Sequence, residues 1–334
     1  MKKYVITGAS GHVGFRIADQ LLDRDANVKV IARNREKLIP LVAKGARAMT
    51  GSLMDTAFLA EAFDRADAVF TMIPPDLYAE NVRDMQTRIG VSIAEAIRKT
   101  GVKWVVNLSS QGAHLLRGTG PIAGLHEQEE RLNAIPEVNV VHLRPTFFME
   151  NLESNIPLIR NQGIMGSPLN AEMKIPVIAT QDIARAAVEW LSELRFKDKS
   201  VCDLLGQRDL SVIEMTGIIG KAIGKPGLGY VQFTYEAARN AMLAMKLSPD
   251  MARLFIEMYE AFNEGRITKG LIRTIENTTD TAFEDYAEEF ARIYSNKTSE
   301  GKEADVSRKD PSPSRGEKSP LAWWHQLHLK RKVA

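Results

Sequence analysis

The sequence holds a single cysteine, Cys202. An internal disulfide framework is therefore excluded, and so is a cysteine-based zinc cage. So thiol-poor a chain suits a reducing compartment, and a cytoplasmic setting is expected. No run approaches the roughly 20 apolar residues that a bilayer span requires, so no membrane-spanning segment is expected. A secretory leader is not expected either, because a strand-like segment begins at Lys2 and a glycine-rich turn follows at once. Aromatic residues make up only 7% of the chain, yet 44% is hydrophobic and 26% charged, which excludes a wholly disordered polypeptide. No charge of one sign dominates: the 334 residues carry a formal net charge of +2. Even that excess is local. Residues 297–334 hold nine Lys/Arg and five Asp/Glu, and the preceding body is slightly acidic. A body without a basic stripe has little electrostatic pull toward nucleic acid, and no direct nucleic-acid binding is expected.

What the first 145 residues do contain is alternation. Short, mostly apolar, Val/Ile-rich runs fall at Lys3–Thr7, Val28–Ala32, Ala46–Thr50, Ala68–Ile73, Val102–Leu108 and Val138–Leu143. Runs of that kind suit strands buried on both faces of a parallel sheet. Helical patterns separate them at Val13–Leu22, Arg35–Ala43, Thr56–Phe63, Ala79–Lys99 and Ile122–Asn133. Repeated strand–helix units predict an α/β fold of Rossmann type, a doubly wound parallel sheet with right-handed crossovers. Beyond residue 145 the pattern loosens. Helices are expected at Glu150–Asn161, Thr180–Leu194, Ser211–Ile223, 235–265 and 280–294, with short strands at Lys174–Val177 and Val201–Leu205. The expected division is a Rossmann core over residues 1–150, a smaller C-terminal α/β lobe over 151–294, and a disordered tail over 295–334, where Ser, Lys, Glu and Pro dominate. The tail ends with Trp323-Trp324 and Lys330-Arg331-Lys332, compatible with a peptide for a membrane surface or partner. An uncoupled extension is the preferred reading.

The strongest local signal is Thr7-Gly8-Ala9-Ser10-Gly11-His12-Val13-Gly14, which follows the first strand and opens the first helix. Gly8 permits a tight turn, Gly11 lets the backbone approach a phosphate, and Gly14 lets helix pack closely on strand. The helix N-terminus then offers N–H groups and partial positive charge to a pyrophosphate. In that strand–turn–helix context the string reads as a dinucleotide-binding turn. The second strand ends in Ala32-Arg33-Asn34, with Lys37 one helical turn on. A carboxylate at this place would accept from a ribose 2′-hydroxyl. A guanidinium instead suits a 2′-phosphate, so NADP(H) is favoured over NAD(H). Thr71, Met72 and Ile73 at the end of the fourth strand, and Ser109 at the end of the fifth, are expected to wall the cofactor cleft. Ser109 reads equally well as a structural hydroxyl bonded to backbone.

These segments, together with Leu108-Ser109-Ser110 and Leu143-Arg144-Pro145-Thr146-Phe147-Phe148-Met149-Glu150-Asn151, resemble the NmrA-like group of atypical short-chain dehydrogenases/reductases. The resemblance spans residues 1–294 and within the group is greatest to NADPH-dependent quinone and azo reductase-like members. It implies a Rossmann core, a smaller lobe, and NADP(H) between them, and it supports Arg33 and Lys37 as contacts to the 2′-phosphate. The group also includes regulators, so a non-catalytic NADP(H) sensor docking on a protein partner is the alternative to an oxidoreductase.

One departure bears on chemistry. The Tyr-x-x-x-Lys pair of typical short-chain dehydrogenases is replaced by His126-Glu127-Gln128-Glu129-Glu130-Arg131. Alcohol–ketone chemistry through a tyrosinate is therefore not expected, and an epimerase, which commonly keeps that pair, is disfavoured. Where the group often places an acidic residue after the third strand, this chain has Ser52. His126 is the candidate catalytic residue, as an imidazole suits general-acid work near neutral pH; a polar lining residue is the other reading. Reduction of a quinone or similar flat electrophile needs only the cofactor hydride, a proton from solvent and an apolar slot. Tyr78, Gln111, Phe147 and Phe148 are the candidate substrate residues, with Met149 beside them; the Phe and Met residues read equally as core. Tyr4 and Asp182 are read as structural, and Cys202 as an inert buried thiol. His114, His142, His325 and His328 lack companions at metal spacing, so no metal is expected.

Overall fold

A computed structural model describes the backbone of residues 1–303 and the side chains of residues 1–296. The double tryptophan, the terminal basic cluster and most of the expected disordered tail lie outside the described residues. Strand β1 (Lys3–Ile6) passes through the glycine turn into α1 (His12–Leu22). Then come β2 (Asn27–Ala32), a 3-10 turn (Glu36–Leu38), α2 (Ile39–Ala43), β3 (Arg47–Thr50), α3 (Thr56–Phe63), β4 (Ala68–Met72), α4 (Val82–Thr100) and β5 (Trp104–Leu108). Helix α5 (Ile122–Asn133) and β6 (Asn139–Pro145) close the regular alternation. The helix starts are chemically marked: the Asp55 carboxylate accepts from Ala57 and Phe58 N–H, and the Asn81 side chain accepts from Asp84 N–H.

The chain continues through β7 (Phe147–Phe148), a 3-10 turn (Met149–Asn155), α6 (Ile156–Gln162), β8 (Ile164–Ser167), β9 (Lys174–Ile178), α7 (Thr180–Glu193) and β10 (Lys199–Leu204). It ends with β11 (Asp209–Ser211), α8 (Val212–Ala222), β12 (Gly229–Gln232), α9 (Tyr235–Ala244), α10 (Pro249–Asn263) and α11 (Phe283–Glu303). Among the described residues no helix is long and apolar enough to cross a membrane.

Seven parallel strands form the main sheet in the order β3-β2-β1-β4-β5-β6-β10. Its two faces are packed separately. Val5, Ile31, Val69, Val105 and Val140 point into a core with residues of α3, α4 and α10. Tyr4, Ile6, Val30, Phe70, Val106 and Val141 point into one with α1 and α7. This strict alternation is what a doubly wound sheet demands.

The expected boundary at residue 150 is not where the structure turns from core to lobe. Residues 180–204 return to the main sheet: α7 packs on α1, and β10 pairs with β6 from Lys199↔Val140 to Leu204↔Pro145. The smaller lobe is therefore assembled from two stretches on either side of that return. It holds a three-stranded sheet in the order β11-β9-β7, the parallel pair β12-β8, and a core including Met165, Ile175, Met215, Ile219, Phe283 and Phe290. Helices α9 and α10 bind this lobe to the main sheet's helical layer, where the Asp250 carboxylate accepts from Val82 N–H at 3.0 Å. Two helical expectations are also refined. Residues 35–43 and 149–162 each begin as a 3-10 turn and end as a short α-helix with proline in its first turn. The proline lacks the N–H that a longer α-helix running through it would need.

Candidate functional site

Strand β1 lies between β2 and β4, the point at which the strand order of a doubly wound sheet reverses and its ligands bind. The turn there is held by backbone. Thr7 N–H donates to the Phe70 carbonyl at 3.1 Å, Ala9 N–H to the Ile31 carbonyl at 3.1 Å, and Gly11 N–H to the Gly8 carbonyl at 3.0 Å. Gly8 has φ +64°, and a Cβ on it would lie 2.9 Å from the Met72 sulfur. A Cβ on Gly14 would strike the Gly8 carbonyl oxygen and lie 3.0 Å from that of Thr7. The Gly8 position favours glycine for its dihedral angle, and the Gly14 position for space against backbone. Helix α1 follows Gly11 without a side-chain cap and without an acidic residue in its first turn; α2, α5, α6 and α7 also lack a side-chain cap, but α1 alone of these opens directly from the glycine turn after β1. Ser10, Gly11 and His12 are exposed at this end, with Val13 and Gly14 buried beneath. The chemistry of that end fits an anion such as a pyrophosphate.

Arg33 follows β2 directly, beside the turn, and is exposed; Lys37 lies in the 3-10 turn and is exposed too. Thr71 and Met72 end β4, with Ile73 next. Ser109 N–H donates to the Leu143 carbonyl at 2.8 Å, which places Ser109 at the carboxyl ends of β5 and β6. The structure thus gathers Gly8, Met72 and Ser109 along one edge of the sheet. It does not bring all the substrate candidates together. Tyr78 is 65% exposed in the loop after β4. Gln111 is buried, and its amide donates to the Ile267 carbonyl at 3.3 Å. Phe147 and Phe148 form β7 and pair with Val177 and Ile178. The Phe147 ring meets Phe262 edge-on at 6.2 Å, while Phe148 packs into the main-sheet core. His126, on α5, is fixed by Nδ1 donating to the Ala113 carbonyl at 2.8 Å, which leaves Nε2 as the ring nitrogen available for proton exchange.

At the ends of β5 and β6 lies a cluster built from side chains. Glu129 is 3% exposed. Its carboxylate accepts from the Ser109 hydroxyl and, in a two-point grip, from Arg144 Nε at 2.9 Å and Arg144 Nη2. Burial works against the Arg144 charge, but the Glu129 carboxylate outweighs it and holds the guanidinium above its usual range. Burial pushes the carboxyl of Asp203, the β10 partner of Arg144, up, and pushes His114 down with help from Arg144. A second buried chain runs beside it. Thr71 Oγ1 donates to Asn107 Oδ1 at 3.0 Å, the Asn107 amide donates to His142 Nδ1 at 3.1 Å, and His142 Nε2 donates to Asn133 Oδ1 at 3.0 Å. Burial lowers the His142 pKa to about 4, so its ring is neutral at physiological pH.

A model of the NmrA-like family matches residues 1–296. The chain belongs to the NmrA-like family. A relative, the uncharacterized oxidoreductase YesF of Bacillus subtilis strain 168, is 26% identical over 264 residues, covering 78% of this chain and 85% of its own. Among solved structures, the NADPH-dependent quinone oxidoreductase QOR2 of Escherichia coli, complexed with NADPH, is similar with a TM-score of 0.69 and 19% identity. It covers 86% of this chain and 99% of that one. NmrA, a negative transcriptional regulator in complex with NADP, is similar with a TM-score of 0.69 and 14% identity, covering 89% of this chain and 98% of that one. At these identities the two structures show a shared fold. The proteins this chain resembles thus include a named oxidoreductase, a quinone oxidoreductase and a transcriptional regulator.

In this NmrA-like chain the Glu129–Arg144 pair was beyond the reach of motif reading. Its members stand 15 residues apart on different elements, and although Ser109, Glu129 and Arg144 each fall in a recognisable segment, no segment shows that they meet. A carboxylate on the buried side of α5, next to Gln128 and Leu132, is the signal that could have found it. Cys202 is half-buried in β10, where burial pushes its thiol up and so keeps it unreactive. Among the described residues no group of three or more His, Cys, Asp or Glu converges as a metal site.

Proposed function

We propose that this NmrA-like protein binds NADP(H) at the β1–α1 turn and is an oxidoreductase toward a small, flat electrophile such as a quinone. The turn carries this reading: a glycine at positive φ and a glycine pressed against backbone, beneath a helix start with no side-chain cap and no acidic residue in its first turn. Backbone N–H groups at Ser10, His12 and Val13 would hold the pyrophosphate, with Gly11 admitting it for want of a Cβ, and Arg33 and Lys37 would hold the 2′-phosphate. Thr71, Met72, Ile73 and Ser109 would flank the nicotinamide riboside, with Phe147 on the substrate side. When bound, the dinucleotide supplies a hydride. The chain's own part is to exclude water with apolar side chains and to deliver a proton. His126 Nε2 or solvent gives that proton to the product oxygen, since α5 offers neither the tyrosine nor the lysine of a tyrosinate mechanism. Titration with NADPH and NADH, followed by a quinone panel on the same sample, tests the reading. Tighter binding of NADPH and its oxidation by a quinone are expected; no oxidation across the panel contradicts it.

The likeness to NmrA supports a second reading, in which the chain binds NADP(H) without turnover and docks on a protein partner according to its redox state. A ligand shifts such docking only if it discriminates between the docked and free states. Equal affinity for the partner with NADP+, with NADPH and with neither contradicts that reading.

A further inference from the structure

Beside Phe147 the smaller lobe holds a cavity of about 110 Å³ between the 3-10 turn 149–155, β8, β12, α8 and α10. Its wall is largely apolar, with Leu152, Met165, Met215, Phe255 and Met258, and it contains no charged side chain. A charged ligand would lose its hydration there with no partner in return. An apolar cavity of about 150 Å³ is known to hold one benzene ring, so this space is of single-ring scale.

Several polar groups on the wall are already hydrogen-bonded. The Tyr230 hydroxyl lies 2.9 Å from the Ser167 carbonyl and 2.8 Å from that of Leu169, which share its single proton, and 2.7 Å from the Ser167 hydroxyl, from which it can accept. Asn155 Oδ1 accepts from Gly166 N–H at 2.9 Å, and the Ser154 hydroxyl donates to the Asn151 carbonyl at 2.7 Å. Tyr259 differs. Among the described residues its hydroxyl makes no hydrogen bond, although it lines the same cavity one helical turn from Phe255 on α10. Burial, with Tyr230 close by, pushes its phenol far above the usual range, so it stays a neutral donor at any physiological pH. Tyr259 is half-buried, and its hydroxyl is left as a donor for an acceptor placed in the cavity.

We propose that this cavity binds the ring of a neutral, single-ring substrate and that Tyr259 selects it by donating a hydrogen bond to a carbonyl oxygen. This rests on the oxidoreductase reading for its biological sense, because Phe147 joins the cavity wall to the expected substrate side of the cleft. The binding claim can be tested apart from turnover. Acetophenone and toluene are titrated into the full chain, wild type and Tyr259→Phe, without dinucleotide, with thermal melts as a check on folding. Acetophenone binds the wild type, at least about fivefold more weakly to Tyr259→Phe, and toluene binds both alike. The variant melts no lower than wild type, because it loses an unpartnered hydroxyl. Acetophenone affinity unchanged by Tyr259→Phe, or absent from the wild type, overturns the proposal. Failure of every quinone to oxidise NADPH, with the acetophenone result intact, overturns the reductase reading and leaves the pocket standing.

Discussion

Two ends of the same sheet are finished in opposite ways. Beyond β1 the chain provides mainly backbone: glycines and an uncapped helix start with no acidic residue in its first turn. Beyond β5 and β6 it provides side chains, and they bind one another, with Ser109 and Arg144 both fixed on Glu129. The first end is left with donors unspent and so can bind a ligand. The second has used its donors to lock α5 and two strands into one piece. The contrast explains how one edge can stay open without loosening the sheet, since rigidity is supplied a few strands away.

Breaking the saturated end has the largest expected effect. Glu129→Leu strands the Arg144 charge in a buried site, and thermal or urea unfolding should show a loss of about 3–5 kcal/mol. Glu129→Leu combined with Arg144→Met should recover most of it, because an apolar pair needs no compensation. If the double variant is as unstable as the single, the pair is not acting through charge.

Acid tests the neighbouring chain of hydrogen bonds. His142 titrates near 4 when folded and near 6.5 when unfolded. The unfolded state therefore binds the proton first. The contribution of about 3 kcal/mol is complete above pH 6.5 and is lost as pH falls from there toward 4. Urea midpoints measured across that window should fall in the wild type and fall less in His142→Gln. Parallel slopes would show that the ring is not buried neutral.

The open end should respond more mildly in stability and more strongly in binding. Gly14→Ala places a methyl against the Gly8 carbonyl oxygen, at a cost of about 1–3 kcal/mol in unfolding experiments. Displacing the turn should also weaken NADPH by about tenfold or more, the equivalent of roughly 1.4 kcal/mol. Normal NADPH affinity in that variant would place the dinucleotide elsewhere.

The difference between the two ends also decided what could be read from sequence. Gly8 and Gly14 are legible because backbone geometry itself demands them. Strands β1, β2, β4, β5 and β6 are legible because burial on both faces leaves mostly apolar runs, whereas β3 lies at the edge of the sheet and is not buried. Strand β10 pairs with β6, yet its Lys199–Leu204 sequence is half polar, as an edge strand's can be, so nothing local announces its place in the main sheet. The loosened pattern after residue 145 therefore read as a separate lobe, although residues 180–204 belong with the core. Lys37 read as part of one continuous helix, but Pro40 divides that segment. Glu129 and Tyr259 were silent for a common reason: what matters about each is the presence or absence of a partner brought by another element.

The most direct test is a titration of the full chain with NADPH and NADH, repeated on Arg33→Glu. NADPH should bind the wild type more tightly than NADH, and the reversal of charge should cut that preference by about tenfold, roughly 1.4 kcal/mol. A wild type that binds neither dinucleotide, or a preference that Arg33→Glu leaves unchanged, would contradict the assignment of the β1–α1 turn and its basic neighbour as the cofactor site.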